Sequence, residues 1–374
     1  MEKKDKNLNV PNLRFPEFSG EWESTPISTI ADIIGGGTPD TSVDEYWGGN
    51  IQWFTPSEIG KEKYAYLSDR TITEAGLINS SAKLLPQGTV LLSTRATIGE
   101  CSIATAECTT NQGFQSLVAK KNNVSSEFLY YIVAKIKREM LRRSCGSTFL
   151  EISANELKKI HANIPSKAEQ EKLVSLLSLI DQRIETQKKI IEKCESLIRG
   201  LCEKLTRQGD ANKSINECLE CHSSTLQESE ILDTGRYPVY GAIGVCGYTN
   251  TPDVSGDGIL IIKDGASVGV TYFADGCYSS IGTLNRLTAK QGINLRYVYY
   301  CLKVMNFAPY KTGLAIPHIY FKDYGKHKIW CPSFEQQSRI ADALINIDNK
   351  IHVEKSLLEQ LNSQKRYMLN QLFI

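Results

Sequence analysis

Few residue types in this sequence stand at spacings that could support catalysis. The 5 histidines, His161, His222, His318, His327 and His352, show neither catalytic-triad nor metal-site spacing. The chain contains no Asn-Pro-Pro-aromatic methyltransferase motif, no G-x-x-x-x-G-K-[ST] phosphate loop and no H-E-x-x-H motif. We therefore expect neither a catalytic residue nor a metal site in this chain.

One cysteine pair matches a cofactor-attachment pattern. Cys218 and Cys221 with the following His222 fit the C-x-x-C-H pattern of covalent haem attachment, a modification of exported proteins. The charged start of the chain is not followed by an apolar signal region, so export is not expected. Zinc would need a second pair of ligands, and Cys246 and Cys277 are isolated. We interpret the 11 cysteines as reduced, mostly buried thiols of a cytoplasmic protein, and without a run of 18 apolar residues we expect no membrane span.

Basic side chains are the remaining candidates for chemistry, as contacts to nucleic acid. Lys and Arg total 43 against 42 Asp and Glu, a net charge of +1, so any such binding must rest on local patches or on help from another subunit. Arg95 and Lys263 stand at matching strand ends of two similar segments, and a planar guanidinium could read guanine. The predicted DNA-binding residues are Arg95, Lys135, Lys137, Arg138, Arg142, Arg143, Ser147, Lys263, Arg286 and Lys311.

The cluster between Lys135 and Arg143 belongs to a predicted helix. Apolar residues recur at helical spacing from Glu127 to Arg143, and the basic residues lie toward the end of that segment. They form either a solvated helix face or a strip that contacts phosphates, and the sequence leaves both interpretations open.

The elements that must position these residues alternate along the chain. The segment from Lys167 to Arg207 has a single glycine, Gly200, and no proline, and no glycine or proline follows Pro332. The blocks in front of these two segments contain glycine turns and short runs such as Thr89–Ser93 and Gln115–Ala119, which predict strands. The order is mixed block, helix, mixed block, helix.

The two helical segments are copies of each other. When Pro165 is placed opposite Pro332, the segments that start at these two prolines align without a gap. Of the 42 aligned positions 12 are identical, whereas ordinary residue usage would give about two or three. The mixed blocks resemble each other more weakly, and the chain is therefore an internal duplication.

The apolar residues of both copies alternate in steps of 4 and 3, which is a heptad pattern and requires a partner helix. Gln187, Glu354 and Lys365 are polar interruptions of this seam. We expect the helices to pack on each other in antiparallel orientation, related by a pseudo-two-fold axis; the alternative is that each packs only on its own block. The predicted seam residues are Leu173, Leu177, Ile180, Ile184, Ile191, Ile198, Leu201, Ile340, Leu344, Ile347, Ile351, Leu358 and Met368.

The order of several short motifs resembles the specificity subunits of type I restriction–modification systems. The resemblance covers nearly the whole chain, and the second copy departs from the first at Gln336, where the first has Glu169. The motifs are Val10-Pro11-Asn12-Leu13-Arg14-Phe15-Pro16, Gly36-Gly37-Thr38-Pro39, Gly88-Thr89-Val90-Leu91-Leu92-Ser93 with Ala96-Thr97-Ile98-Gly99, Gly146-Ser147-Thr148, and Pro165, Glu169-Gln170 and Ile180-Asp181 with their repeats at Pro332, Gln336-Gln337 and Ile347-Asp348.

This resemblance implies an α+β fold in which two mixed α/β target recognition domains are joined by two long antiparallel coiled-coil helices. It implies that each domain reads one half of a bipartite, asymmetric DNA site and that the chain itself performs no chemistry. The expected partners are double-stranded DNA, two modification subunits that methylate adenine, and restriction subunits. S-adenosylmethionine, ATP and Mg²⁺ would belong to those subunits, so no cofactor is expected here.

The predicted segments are a first recognition domain at 1–165, a first spacer helix at 166–208, a second recognition domain at 209–332 and a second spacer helix at 333–374. The rival hypothesis is a two-headed coiled-coil scaffold that joins two partners without binding nucleic acid. Composition does not separate the two, because the charge balance is neutral.

Overall fold

The computed structural model describes residues 9–146, 150–313 and 315–374. The chain divides into two compact units, one formed by Met1–Thr186 with Leu358–Ile374 and the other by Gln187–Leu357. These units are defined by packing and their boundaries fall inside the two long helices, whereas the predicted segments are defined by changes of sequence character.

The first unit is a mixed α+β fold. Its strands are β1 (Glu23–Pro26), β2 (Ala31–Gly35), β3 (Trp47–Phe54), β4 (Tyr64–Ala65), β5 (Arg70–Ile72), β6 (Val90–Leu92), β7 (Cys101–Ala104), β8 (Cys108–Thr110), β9 (Gln115–Ala119) and β10 (His161–Ile164). Its helices are α1 (Ile27–Ile30), α2 (Glu74–Ile78), α3 (Ser126–Arg143), α4 (Ala154–Lys158) and the start of α5 (Lys167–Thr206), with a 3-10 turn at Asp44–Tyr46.

Three sheets organise these strands. Their orders are β2-β9-β6-β7-β4, β5-β3-β8 and β1-β10. The antiparallel pair β1–β10 joins the strand that enters the block to the strand that leaves it, with Glu23 opposite Ile164. This pair therefore closes the block just before α5 begins.

The second unit has its own set of elements. Its strands are β11 (Lys213–Ser214), β12 (Leu219–Ser223), β13 (Tyr237–Gly241), β14 (Gly244–Thr249), β15 (Val254–Ser255), β16 (Gly258–Ile262), β17 (Thr271–Ala274), β18 (Cys277–Ser280), β19 (Leu284–Ala289) and β20 (Lys328–Ile329). Its helices are α6 (Ile215–Cys218), α7 (Leu295–Lys303), α8 (Phe321–Tyr324) and α9 (Phe334–Leu372), with 3-10 turns at Glu228–Glu230 and Ala308–Tyr310.

The strand orders of the second unit repeat those of the first. Its sheets have the orders β12-β19-β16-β17, β14-β13-β18-β15 and β11-β20. The series β12-β19-β16-β17 matches β2-β9-β6-β7, and the closing pair β11–β20 matches β1–β10. A parallel pair also recurs, β3 with β8 in the first unit and β13 with β18 in the second. The duplication predicted from the helices therefore extends through both globular blocks.

Local sequence signals explain where the block helices begin. The Ser125 side chain accepts a hydrogen bond from the Phe128 backbone N–H and caps α3, and Asn294 caps α7 in the same way through Tyr297. The predicted helix at Glu127–Arg143 is confirmed as Ser126–Arg143, and the predicted strands at Thr89–Ser93 and Gln115–Ala119 appear as β6 and β9.

Each unit buries its own core, and both long helices contribute to it. In the first unit, Leu173, Leu177, Ile180 and Ile184 of α5 join a cluster with Leu358, Leu361, Met368 and Leu372 of α9. In the second unit, Ile198 and Leu201 of α5 share a cluster with Ile340, Leu344, Ile347 and Ile351 of α9. The start of α5 thus packs with the end of α9, and the end of α5 packs with the start of α9. The two helices are therefore antiparallel. Ile191 is buried as well.

Candidate functional site

The predicted basic strip on α3 is largely paired with carboxylates of the same unit. Arg142 and Arg143 contact Glu139 at 2.8 and 2.5 Å, and Arg143 also reaches Glu156 at 3.2 Å. Hydrogen bonds from both arginines lower the pKa of Glu139 to about 2. These contacts favour a solvated, internally neutralised helix face, because a phosphate would have to compete with the carboxylates.

The neighbouring lysines are also engaged. Lys137 Nζ lies 2.6 Å from Glu100 Oε1, and Lys135 Nζ donates to the Phe373 carbonyl at 3.1 Å. Burial lowers the pKa of Lys135. Arg138 is exposed. Ser147 lies outside the described residues, and DNA contact by this group stays a prediction.

Arg95 lies where β6 ends and is half exposed. Its Nε is 3.9 Å from Glu151 Oε2, and the two residues form an isolated antiparallel bridge. Cys145 and Glu151 exchange backbone hydrogen bonds of 3.0 Å. The structure therefore places Arg95 beside the bridge between Cys145 and Glu151, and the predicted Gly146-Ser147-Thr148 motif falls largely outside the described residues.

Lys263 lies at the end of β16, but it is not the counterpart of Arg95. The Thr94 carbonyl accepts from the Ile152 N–H at 3.1 Å, and the Lys263 carbonyl accepts from the Ile319 N–H at 2.9 Å. These matching bonds make Lys263 the structural equivalent of Thr94. The residue that corresponds to Arg95 is Asp264, so Arg95 and Lys263 lie at matching strand ends but one position apart.

The other two predicted residues of the second block lie apart in the fold. Arg286 of β19 lines an open cleft of about 580 Å³ together with His222, Asp253 and Glu230. Lys311 is exposed next to the bridge between Thr312 and His318 and lines a second cleft of about 400 Å³.

The cysteines and histidines are dispersed. Cys218 is buried, Cys221 lies on β12, and the His222 ring contacts Thr288 Oγ1 at 2.9 Å. Burial raises the pKa of Cys218 to about 12. Within residues 9–146, 150–313 and 315–374, no group of three or more His, Cys, Asp or Glu residues is placed to hold a metal ion.

The polar interruptions of the helix seam have partners inside their own unit. Gln187, which is 5% exposed, donates from Nε2 to the Glu354 carbonyl at 3.0 Å and to its carboxylate at 2.5 Å. Lys355 pairs with Glu195 at 2.6 Å. In the first unit, Lys365 pairs with Asp181 at 2.6 Å. A polar contact of this kind within an apolar seam fixes the register of two helices.

The repeated glutamines Gln170 and Gln337 anchor the starts of the long helices. Gln170 donates to the carbonyls of Pro165 and Asn123, and Gln337 donates to the Pro332 carbonyl and accepts from the Asn294 N–H. Both glutamines are buried. Their identity in the two copies thus reflects the same junction between block and helix.

Glu169, beside Gln170, has a role that its counterpart Gln336 lacks. Its carboxylate receives two hydrogen bonds from Arg14, at 2.8 and 2.7 Å, and one from Trp22 Nε1 at 3.3 Å. The contacts to Glu169 raise the pKa of Arg14. Glu169 is buried, whereas Gln336 is exposed. The difference between the two copies therefore reflects the docking of the N-terminal segment on the first unit.

Glu151, Asp264 and His318 were not predicted from the sequence. The fold brings Glu151 next to Arg95 in the first unit and His318 next to Asp264 in the second. A signal for two of them was present. Glu151 and His318 stand at the same offset in the sequence as the helix copies, and so do Ile152 and Ile319. Extending the helix alignment upstream of Pro165 would have brought them together.

Comparison with known proteins places this architecture. The family described as "Type I restriction modification DNA specificity domain" matches residues 19–196 and 211–363, one match in each copy of the repeat. The chain belongs to this family, as the motif order predicted.

Two curated relatives carry the same description. The specificity subunit of the type I restriction enzyme EcoprrI from Escherichia coli is 25% identical over 353 residues, which is 88% of each chain. The specificity subunit of MjaIX from Methanocaldococcus jannaschii is 42% identical over 180 residues, and this match covers 46% of the present chain and 41% of that protein.

Solved structures share the fold. The S subunit of the type I restriction–modification system of M. genitalium has a TM-score of 0.65 at 20% identity, covering 98% of this chain and 99% of that one. A chain from a structure on assembly and conformational transition of the type I system has a TM-score of 0.57 at 14% identity, covering 95% of this chain and 98% of that one.

No helix in the described part of the chain is long and apolar enough to span a membrane.

Proposed function

We propose that this chain is the DNA-specificity subunit of a type I restriction–modification complex and that each globular block reads one half of a bipartite, asymmetric site. The observation that carries the proposal is the double family match, which assigns a DNA specificity domain to each copy of the repeat. The core strand order that the two blocks share supports it, because two related heads suit a site made of two halves.

The chain supplies recognition, and partner subunits supply the chemistry. Two modification subunits, one for each copy of the repeat, methylate adenine with S-adenosylmethionine, and restriction subunits contribute cleavage that uses ATP and Mg²⁺. The near-neutral charge supports this division, since a net charge of +1 gives little non-specific attraction to DNA. Tight binding to DNA therefore depends on the assembled complex.

Exchange of one block tests the proposal. The pairs β1–β10 and β11–β20 close the blocks, so residues 27–160 can be replaced by the matching segment of a relative without cutting these pairs. The chimaera is expressed with the modification subunits, and the methylated motif is determined by methylome sequencing. We expect one half of the motif to change and the other half to stay.

The matched control is the exchange of residues 215–327, which should change only the other half of the motif. If either exchange alters both halves together, or if the unmodified chain directs no bipartite methylation, the proposal is wrong.

A further inference from the structure

The two blocks share a small structure at the end of one core strand. In the first unit, the bridge between Cys145 and Glu151 lies against the end of β6, because the Ile152 N–H donates to the Thr94 carbonyl at 3.1 Å. The Arg95 side chain faces Glu151 across this junction, with 3.9 Å between Nε and Oε2.

The second unit repeats the arrangement with different residues. Thr312 and His318 exchange backbone hydrogen bonds of 2.9 and 2.7 Å. The Ile319 N–H donates to the Lys263 carbonyl at 2.9 Å and holds this bridge against the end of β16. His318 Nδ1 lies 2.7 Å from Asp264 Oδ1.

The backbone establishes which residues correspond. Matching hydrogen bonds pair Thr94 with Lys263, so the next residues, Arg95 and Asp264, are equivalent. The residues after them are equivalent as well, and both have a left-handed backbone: φ is 62° at Ala96 and 100° at Gly265. The loop residues Glu151 and His318 correspond through their bridges to Cys145 and Thr312. The two partners therefore occupy the same two positions in each unit, but the acidic residue changes place. In the first unit the strand end carries an arginine that faces a glutamate, and in the second it carries an aspartate that faces a histidine.

Stability does not explain these pairs. The side chains of Arg95 and Glu151 are 47% and 45% exposed, and those of His318 and Asp264 are 36% and 34% exposed. Ion pairs at such exposure contribute little to folding. In addition, Ala96 holds a left-handed backbone without being glycine, and such backbone strain concentrates at functional sites.

Exchanging the partners changes what each junction can recognise. A guanidinium only donates hydrogen bonds and matches the O6 and N7 acceptors of guanine, whereas a carboxylate only accepts and matches the N4 amino group of cytosine. Each junction also lies beside an exposed apolar side chain of its loop, Leu150 in the first unit and Ile316 in the second.

We propose that Arg95 with Glu151, and Asp264 with His318, are the specificity-determining pairs of the two blocks. Arg95 reads a guanine of the first half-site, held in position by Glu151, and Asp264 reads a cytosine of the second, held by His318. This inference rests on the proposed function and deepens it by naming the base-reading residues.

The test transplants one pair into the other block. The variant Arg95→Asp with Glu151→His gives the first unit the pair of the second, and the full chain is expressed with its modification subunits before methylome sequencing. We expect the guanine at one position of the first half-site to be replaced by cytosine, with the second half unchanged. The preference at that position should shift by about 10- to 100-fold, the range for loss of one bidentate base contact.

A milder variant keeps the test decisive if the double variant does not fold. Arg95→Gln keeps a long polar side chain beside Glu151 but removes the guanidinium that matches guanine, so it should fold and relax the preference for guanine. The matched control is Lys120→Ala, which removes an exposed ion pair with Asp32 in the same unit and should leave the motif intact.

The outcomes separate this inference from the proposed function. If the unmodified chain directs methylation of a bipartite motif and Arg95→Gln leaves every position of it unchanged, the assignment of these pairs is wrong and the proposed function stands. The same conclusion follows if Arg95→Gln lowers methylation at all sites equally, since that would be the effect of a purely structural contact. If the unmodified chain directs no such methylation, the proposed function itself fails.

Discussion

Tyr131 donates a hydrogen bond of 2.6 Å from Oη to Asp181 Oδ2 and thereby connects α3 of the first block to the long helix α5. The second unit repeats the connection, because Tyr300 of α7 donates to Asp348 Oδ2 of α9 at 2.9 Å. Asp181 and Asp348 are one of the identical pairs in the alignment of the two helix copies. The same anchor thus joins block to helix in each unit.

The two anchors differ in their cations. Asp181, with a side chain 13% exposed, has Lys365 Nζ at 2.6 Å and Lys63 Nζ at 3.7 Å. Asp348 is 30% exposed and pairs with Lys303 at 3.2 Å. Burial lowers the pKa of Lys63, and the nearby carboxylate of Asp181 opposes this shift.

Asp181→Asn should therefore destabilise the chain more than Asp348→Asn. Removing the carboxylate leaves two lysines facing each other in a poorly hydrated site, and we expect the free energy of unfolding to fall by about 2–4 kcal/mol. For the more exposed Asp348→Asn we expect a loss of about 1 kcal/mol. Urea unfolding followed by circular dichroism measures both. Equal losses would contradict the dependence on burial, and the exposed Glu335→Gln serves as the control.

Glu169→Gln should detach the N-terminal segment from the first unit. The carboxylate holds Arg14 through two charge-assisted hydrogen bonds, and a neutral amide replaces them with weaker ones. We expect a loss of about 1.5–3 kcal/mol in the free energy of unfolding and faster proteolysis in front of Trp22. The repeat offers a matched control: Gln336→Glu, at the equivalent exposed position, should change stability by less than about 0.5 kcal/mol. An undetectable effect of Glu169→Gln would contradict this docking.

Inserting one heptad into each long helix should lengthen the gap between the two halves of the methylated motif. Sites after Lys189 and after Ser356 lie at a similar level of the antiparallel pair, because Gln187 contacts Glu354. Seven residues keep the seam in register and add about 10 Å at 1.5 Å per residue, or about three base pairs at 3.4 Å each. Methylome sequencing reads the spacer directly. Insertions of three residues, which rotate the seam out of register, should abolish methylation. An active seven-residue variant with an unchanged spacer would show that the helices do not set the distance.

The buried thiols should weaken the fold at high pH. Burial raises the pKa of Cys101 and Cys108 from 9.0 to about 12, so these groups remain protonated in the folded chain while they ionise in the unfolded chain. The stabilisation is complete below pH 9 and is lost as the pH rises toward 12, because the unfolded state then binds fewer protons. Each thiol contributes a slope of up to about 1.4 kcal/mol per pH unit.

Urea unfolding between pH 8 and pH 11 measures this slope. Cys108→Ala should make it shallower, because the thiol with the raised pKa is then absent. A slope that Cys108→Ala leaves unchanged would mean that this thiol ionises equally in both states.

The amino-acid sequence by itself determined the duplication, the two long helices and the family. These features depend on local periodicity and on a constant offset between the two copies, and both can be read without knowing the tertiary contacts. The heptad steps identified residues such as Leu177 and Leu344 that the structure buries completely. The same offset also held the correspondence of Glu151 with His318, although that signal covers only a few residues.

Only the tertiary structure decided which charged residues form ion pairs and which residues of the two units are equivalent. The basic strip on α3 is neutralised partly by Glu100 and Glu156. Both residues are distant from the strip in the sequence, and only folding brings Glu100 to Lys137 and Glu156 to Arg143. The sequence hides the equivalence of Arg95 with Asp264, because the turn that follows β16 is one residue longer than the turn that follows β6. The Gly99 N–H bonds to the Ser93 carbonyl six residues earlier, whereas the Gly269 N–H bonds to the Ile262 carbonyl seven residues earlier. An insertion of one residue displaces a sequence alignment, but the strands remain aligned because their hydrogen bonds fix the register.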